Sequence, residues 1–78
     1  MTGKEAVRDA LKYRGWSQQR LANEIGLGQT HVSGYLNNVR TEMRLDTFFK
    51  LMNAMGFEII VKDKMGTDQQ YLIKYENK

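Results

Sequence analysis

Side chains that could carry covalent or metal chemistry are scarce in this chain of 78 residues. It has one histidine, His31, and no cysteine, which excludes disulfides, thiol-ligated zinc and a multi-histidine metal site. No nucleophile and orienting group accompany that histidine in a recognisable pattern, and the sequence has no phosphate-binding loop. We therefore expect that the protein is not an enzyme and that it needs no cofactor.

Hydrogen-bonding side chains are instead concentrated in one predicted helix. Gln29 and Thr30 stand at its start, and Ser33 and Gly34 follow one turn later on its polar side. Glutamine can bond the N7 and N6 of adenine together, and the amides at a helix N-terminus favour phosphate oxygens. This chemistry suits the edges of DNA bases, although polar residues at a helix start are also common where they meet only water.

Two short helices must position these side chains. Ser17 is a good N-cap for a helix over 18–25, Gly26 ends that helix, and the next one covers about 29–37. Ala22 is small where the two helices must approach closely. This spacing predicts a helix-turn-helix, in which two short helices meet at about 90–120°. Similar pairs occur in bundles that bind no DNA, so the spacing alone leaves the function open.

Two further helices flank this pair. Thr2 and Glu5 form a capping box for a first helix that reaches about Tyr13, and Gly15 ends it. A fourth helix spans roughly 45–55, because its apolar residues recur at the helical spacing. They predict a core-facing stripe of Leu45, Phe48, Leu51, Met52 and Met55.

The period of the apolar residues changes after the fourth helix. Residues 57–62 and 71–75 are candidate strands, which pair either with each other as a hairpin or with a second copy of the chain. A lone hairpin is marginal and an exposed Ile/Val edge invites pairing, so we favour a four-stranded sheet shared by two copies. The chain then divides into a helical domain, 1–56, and a dimerisation extension, 57–78.

The charge balance adds little to this interpretation. The net charge is +3, with 8 basic and 5 acidic side chains in residues 1–56 and 4 of each in residues 57–78. That excess is too small to indicate nucleic-acid binding by itself. No run of 18 apolar residues could span a membrane, and the polar first residues argue against secretion. We expect a cytoplasmic protein with no membrane partner.

Three phrases of the sequence resemble the phage repressor (cI/Cro-like, XRE-type) DNA-binding domain: residues 17–26, residues 29–33 and residues 45–51. The resemblance covers about residues 4–57. It implies a mainly α fold, a lambda-repressor-like helix-turn-helix bundle of four to five helices, followed by a β-hairpin or dimer-forming strands. The C-terminal strand also resembles that of small antitoxin-type members, where it pairs across a dimer.

The resemblance also implies which residues contact DNA. In the family, the position of Gln18 touches a phosphate and braces the first residue of the third helix, here Gln29. That helix reads bases from its N-terminal end, and Asn37 lies where members touch the DNA backbone. Arg40 and Arg44 precede the fourth helix, near neighbouring phosphates or the minor groove. The implied DNA-binding residues are Gln18, Gln29, Thr30, Ser33, Gly34, Asn37, Arg40 and Arg44.

Several positions depart from the family pattern. Gly28 replaces the usual Ser or Thr cap of the third helix, and Arg20 replaces a Glu in the second. Arg44 is a poor cap for the fourth helix. Many members join the first and third helices by an Arg–Glu pair, whereas the matching positions here are Leu11 and Leu36. A buried ion pair can be exchanged for a packed apolar pair, so we predict that Leu11 contacts Leu36.

Together these observations predict a sequence-specific DNA-binding transcription regulator, most simply a repressor. A homodimer would place the third helix of each copy in the major groove of a palindromic operator, with half-sites roughly 34–36 Å apart. An alternative is an antitoxin that binds both operator DNA and a toxin protein. A third possibility is an adaptor that uses the same fold without binding DNA.

Overall fold

The computed structural model describes residues 1–37 and 43–75. Within these ranges the chain forms four helices followed by a two-stranded antiparallel sheet, which confirms a mainly helical fold with a C-terminal β extension. The elements are α1 (Gly3–Arg14), α2 (Gln18–Ile25), α3 (Gln29–Asn37), α4 (Leu45–Ala54), β1 (Ile59–Lys62) and β2 (Gln70–Ile73). None of the helices in the described part of the chain is long and apolar enough to cross a membrane.

The starts of the first two helices carry the predicted caps. The Thr2 hydroxyl accepts from the Glu5 amide and the Thr2 amide donates to the Glu5 carboxylate, both at 3.2 Å. The Ser17 hydroxyl accepts from the Arg20 amide at 3.0 Å. Each bond satisfies an amide that has no partner inside its own helix, so the caps fix where α1 and α2 begin.

The turn between α2 and α3 depends on Gly26. Its φ of 72° lies in the left-handed region, and the amide of Leu27 closes the turn on the Ala22 carbonyl at 3.0 Å. Glycine adopts this conformation without the steric cost that a Cβ brings. The turn therefore reverses the chain tightly enough for α3 to pack on α2.

The core is formed where the four helices meet. Leu11 and Leu36 are only 6% and 1% exposed and belong to one cluster, as expected if they pack together. Around it pack the partly buried Trp16, Ile25, Tyr35, Met43, Phe48, Met52, Ala54 and Phe57. The buried residues are Val7, Ala10, Leu11, Leu21, Ala22, Val32, Leu36, Leu51 and Met55.

The prediction that Leu45 faces the core is wrong, because its side chain is 74% exposed. Leu45 is the first residue of α4, and helical side chains lean toward the N-terminus of their helix. Its side chain therefore projects beyond the end of the bundle. The rest of the predicted stripe does face the core, with Leu51 and Met55 buried and Phe48 and Met52 partly so.

The two strands pair within the chain, with Ile59 opposite Ile73 and Lys62 opposite Gln70. This is the hairpin arrangement, with strands slightly shorter than the predicted segments. The connecting loop is held by Asp63, whose carboxylate accepts from the Thr67 hydroxyl and, at 2.8 Å, from the Met65 amide. These two bonds favour the ionised form and hold the pKa of Asp63 below its ordinary value of 3.8.

We predict that Gly26→Ala lowers the free energy of unfolding by about 1–2 kcal/mol, because the Cβ of alanine comes too close to the backbone in the left-handed conformation. Outside the adjoining residues no atom lies within 4 Å of the new Cβ, so the cost is conformational rather than a clash with a packed neighbour. Gly34→Ala is the matched control: its Cβ also meets open space, and Gly34 lies inside α3, where alanine stabilises by about 0.5–1 kcal/mol. Urea unfolding of both variants measures the difference, and equal effects would contradict the role of the Gly26 turn.

Candidate nucleic-acid interface

The helix α3 presents one apolar and one polar side. Val32 is completely buried and Leu36 nearly so, which fixes the apolar side against the other helices. The opposite side is open to solvent: the exposed residues of α3 are Gln29, Thr30, His31, Gly34 and Asn37. The side chains with hydrogen-bonding capacity therefore lie on the surface, where a bound molecule can reach them.

This outer side of α3 carries no Asp, Glu, Lys or Arg. No carboxylate of the helix would repel a polyanion that approaches it. Its hydrogen-bonding groups are neutral amides and hydroxyls, which can both donate and accept. The surface of α3 is therefore suited to reading polar edges, while charge must come from neighbouring segments.

The start of α2 is tied to the middle of α3. The Ser33 hydroxyl donates to the Gln18 side-chain carbonyl at 2.9 Å, and both residues are partly buried. The family resemblance implies a brace between Gln18 and Gln29, but this bond lies one turn further along α3. It leaves the Gln18 amide group and the Ser33 lone pairs available to an outside partner.

The C-terminal end of α3 is held by Arg8 of α1, which sequence analysis missed. Its guanidinium donates to the Leu36 carbonyl at 2.7 Å and to the Asn37 side-chain oxygen at 3.1 Å. A cation at a helix C-terminus is stabilising, because the carbonyls there lack partners within the helix. This bond uses the Asn37 side-chain oxygen, so the amide hydrogens of Asn37 remain available to other acceptors. Arg8 therefore joins α1 to α3 by hydrogen bonds, in addition to the apolar core that both helices share.

Of the two arginines implied before α4, one is described. Arg44 is the residue before α4 and its side chain makes no capping bond, as expected. It pairs with Asp46 at 3.4 Å, and the two side chains are 81% and 70% exposed. An exposed pair of this kind contributes little, so the guanidinium can exchange Asp46 for another anion. Arg40 lies outside the described residues.

Arg20 is held against α2. Its guanidinium carbon lies 4.3 Å from the Trp16 ring centroid, and its Nε lies 3.3 Å from the Glu24 carboxylate. The unfavourable position of a cation near the start of α2 is thereby offset by Glu24 one turn later. Trp16 itself packs on the edge of the core. In the described residues no group of His, Asp or Glu could hold a metal ion.

Comparison with known proteins finds similar sequences. A family model described as helix-turn-helix matches residues 7–60. Antitoxin HipB of Escherichia coli (strain K12) is 31% identical, with 86% of this chain and 81% of the relative covered. Antitoxin HipB of a second Escherichia coli strain is also 31% identical, with 74% of this chain and 61% of the relative covered. No solved structure matches the chain.

We predict that Arg8→Met lowers the free energy of unfolding by about 1.5–3 kcal/mol, because it removes a charged donor from a partly buried carbonyl. Lys12→Met is the control, since it removes the same charge from an exposed position of α1 and should cost only about 0.3–1 kcal/mol. Urea unfolding monitored by circular dichroism provides both values. Equal losses for the two variants would show that Arg8 acts only as a charge.

Proposed function

This chain belongs to the XRE-type helix-turn-helix family of DNA-binding regulators, and we propose that it binds a palindromic operator as a homodimer and represses transcription by occupying it. The observation that carries the proposal is the exposed, uncharged polar side of α3. A helix with a polar outer side fits the major groove, where base edges present donors and acceptors. In each copy α3 would lie in the groove.

Gln29 and Thr30 are the proposed base-reading residues. Both are exposed in the first turn of α3, the end that enters the groove in this class of motif. Guanine is most often read by Arg or Lys, which α3 lacks, whereas glutamine matches the N7 and N6 of adenine. Gly34 leaves open space one turn later, where a thymine methyl group can approach. We therefore expect half-sites that contain A·T pairs.

The proposed phosphate contacts surround this base-reading end. Gln18, Ser33 and Asn37 each keep hydrogen-bonding groups that the protein's own contacts leave available. Arg44 is exposed and, within the described part of the chain, pairs with a solvent-exposed carboxylate, and Arg40 precedes the same helix in the sequence. Contacts of this kind fix the position of the protein on the duplex and make binding depend on salt.

The hairpin supports the proposal of a homodimer. Its two faces both carry exposed apolar side chains, with Ile60 and Leu72 on one face and Val61 and Tyr71 on the other, each 48–59% exposed. Two strands alone form a marginal sheet with two open edges. Pairing with a second hairpin would cover part of this surface and produce a four-stranded sheet. Two copies of α3 would then meet half-sites roughly 34–36 Å apart.

Selection of duplexes from a random library gives the operator, and Gln29→Ala then tests the base-reading role. We predict that this variant loses about thirtyfold or more in affinity for the selected duplex, because one bidentate contact worth about 1–3 kcal/mol disappears from each of the two half-sites. Affinity for a scrambled duplex should change little. Gln69→Ala is the matched control, since Gln69 is exposed in the hairpin loop, away from α3. Equal losses on both duplexes would remove Gln29 as a base reader.

A second candidate function is that of an antitoxin. The curated relatives bear that name, and the exposed apolar hairpin offers a surface that a second protein could cover. We predict that a protein encoded beside this chain arrests growth when it is expressed alone, and that co-expression of this chain relieves the arrest. Growth that remains arrested, with this chain expressed and folded, would contradict the antitoxin function while leaving operator binding unaffected.

A further inference from the structure

The junction between the helical bundle and the hairpin is built around Arg14, the last residue of α1. Its Nε donates to the Met55 carbonyl at 2.9 Å, just after the end of α4. Its guanidinium carbon lies 4.5 Å from the ring centroid of Phe57 and 5.4 Å from that of Tyr13. One planar cation therefore contacts the ends of α1 and α4 and the segment that leads into β1.

This leading segment contains a tight turn that Arg14 covers. Gly56 has a φ of 83°, and a Cβ built on it would lie 3.5 Å from the Arg14 guanidinium. The Phe57 amide donates to the Met52 carbonyl at 2.9 Å, and its ring lies 6.1 Å from that of Tyr13. The direction in which the chain leaves the bundle is thus set by contacts around a single turn.

The hairpin has a second attachment at the same end. The rings of Phe49 in α4 and Tyr75 after β2 lie 5.3 Å apart. The segments beside both strands are thus attached to the bundle close to the pair formed by Ile59 and Ile73, while the far half of the hairpin is exposed. Two attachments define an angle between two rigid bodies, whereas either one alone would act as a hinge.

We propose that Arg14 is a positioning residue that fixes the angle between the hairpin and α3, and thereby selects the spacing between half-sites that the dimer accepts. The inference rests on the proposed function, in which two hairpins join the copies. One base pair more or less moves a half-site by roughly 3.4 Å and turns it by about 35°. A fixed angle tolerates neither change, whereas a hinge tolerates both.

Arginine is suited to this role for a reason that lysine does not share. Its planar guanidinium can donate in its plane to the Met55 carbonyl while one face rests on the Phe57 ring. A lysine ammonium could make the hydrogen bond but offers no plane to stack. If Arg14 served only stability, its loss would lower the unfolding temperature and leave the preference for spacing unchanged.

The angle can be measured in the full chain without DNA. Residual dipolar couplings of amides in α1–α4 and in the hairpin should fit one alignment tensor in the wild-type protein and in Lys12→Met. In Arg14→Met the hairpin couplings should shrink relative to those of the helices, as expected for a hinge. Undiminished hairpin couplings in Arg14→Met would overturn the proposal, whatever the protein does with DNA.

The spacing preference is then tested with the selected half-sites placed at separations that differ by one base pair. Wild type and Lys12→Met should favour one separation by about tenfold or more, and Arg14→Met should favour it by less than about threefold. Affinity for a single half-site should be the same in all three. A profile as sharp as wild type in Arg14→Met overturns the inference alone, whereas failure of the wild type to bind any duplex overturns the proposed function.

A second variant covers the case in which Arg14→Met does not fold. Phe57→Leu keeps an apolar side chain against the core but removes the ring under the guanidinium. It should broaden the spacing profile in the same direction, and Arg14→Lys should give an intermediate profile. Sharp, wild-type profiles in both would contradict a positioning role for the Arg14 contact.

Discussion

The structure depends on how α3 is seated. Val32 and Leu36 are buried against the other helices, and the left-handed Gly26 allows α3 to turn directly onto α2. Because side chains recur every 3.6 residues around a helix, burying one side of α3 places the residues of the opposite side toward solvent. Bonds at the middle and at the end of α3, from Ser33 to Gln18 and from Arg8 to the Leu36 carbonyl, then hold its orientation.

In this structure the side chains proposed to read DNA bases and the charged side chains lie on different segments. The outer side of α3 is neutral, and the described arginines lie on other segments, where the Arg8 guanidinium is bonded to the end of α3. In the proposed complex, base discrimination would come from neutral amides and hydroxyls, and the salt-dependent part of the affinity from flanking groups such as Arg44. The hairpin, which Arg14 connects to the bundle, would set the distance between the two α3 surfaces of a dimer.

Features that depend on a few neighbouring residues could be predicted from the sequence. Thr2, Ser17 and Gly26 lie within four residues of the groups they satisfy, so the caps and the bounds of α1 and α2 follow from local chemistry. Arg8 could not be found this way, because its partners lie 28 and 29 residues away and depend on the angle between α1 and α3. The partner of Gln18 also depends on a helix angle that spacing alone leaves undetermined.

The most direct test of the central claim is an NMR structure of the complex between the full chain and its selected operator. Intermolecular contacts between protons of α3, those of Gln29 and Thr30 above all, and major-groove protons such as thymine methyls are the predicted result. Contacts of the duplex with the hairpin or with α1 instead, and none with α3, would contradict it. That outcome would mean that the exposed polar side of α3 serves another partner.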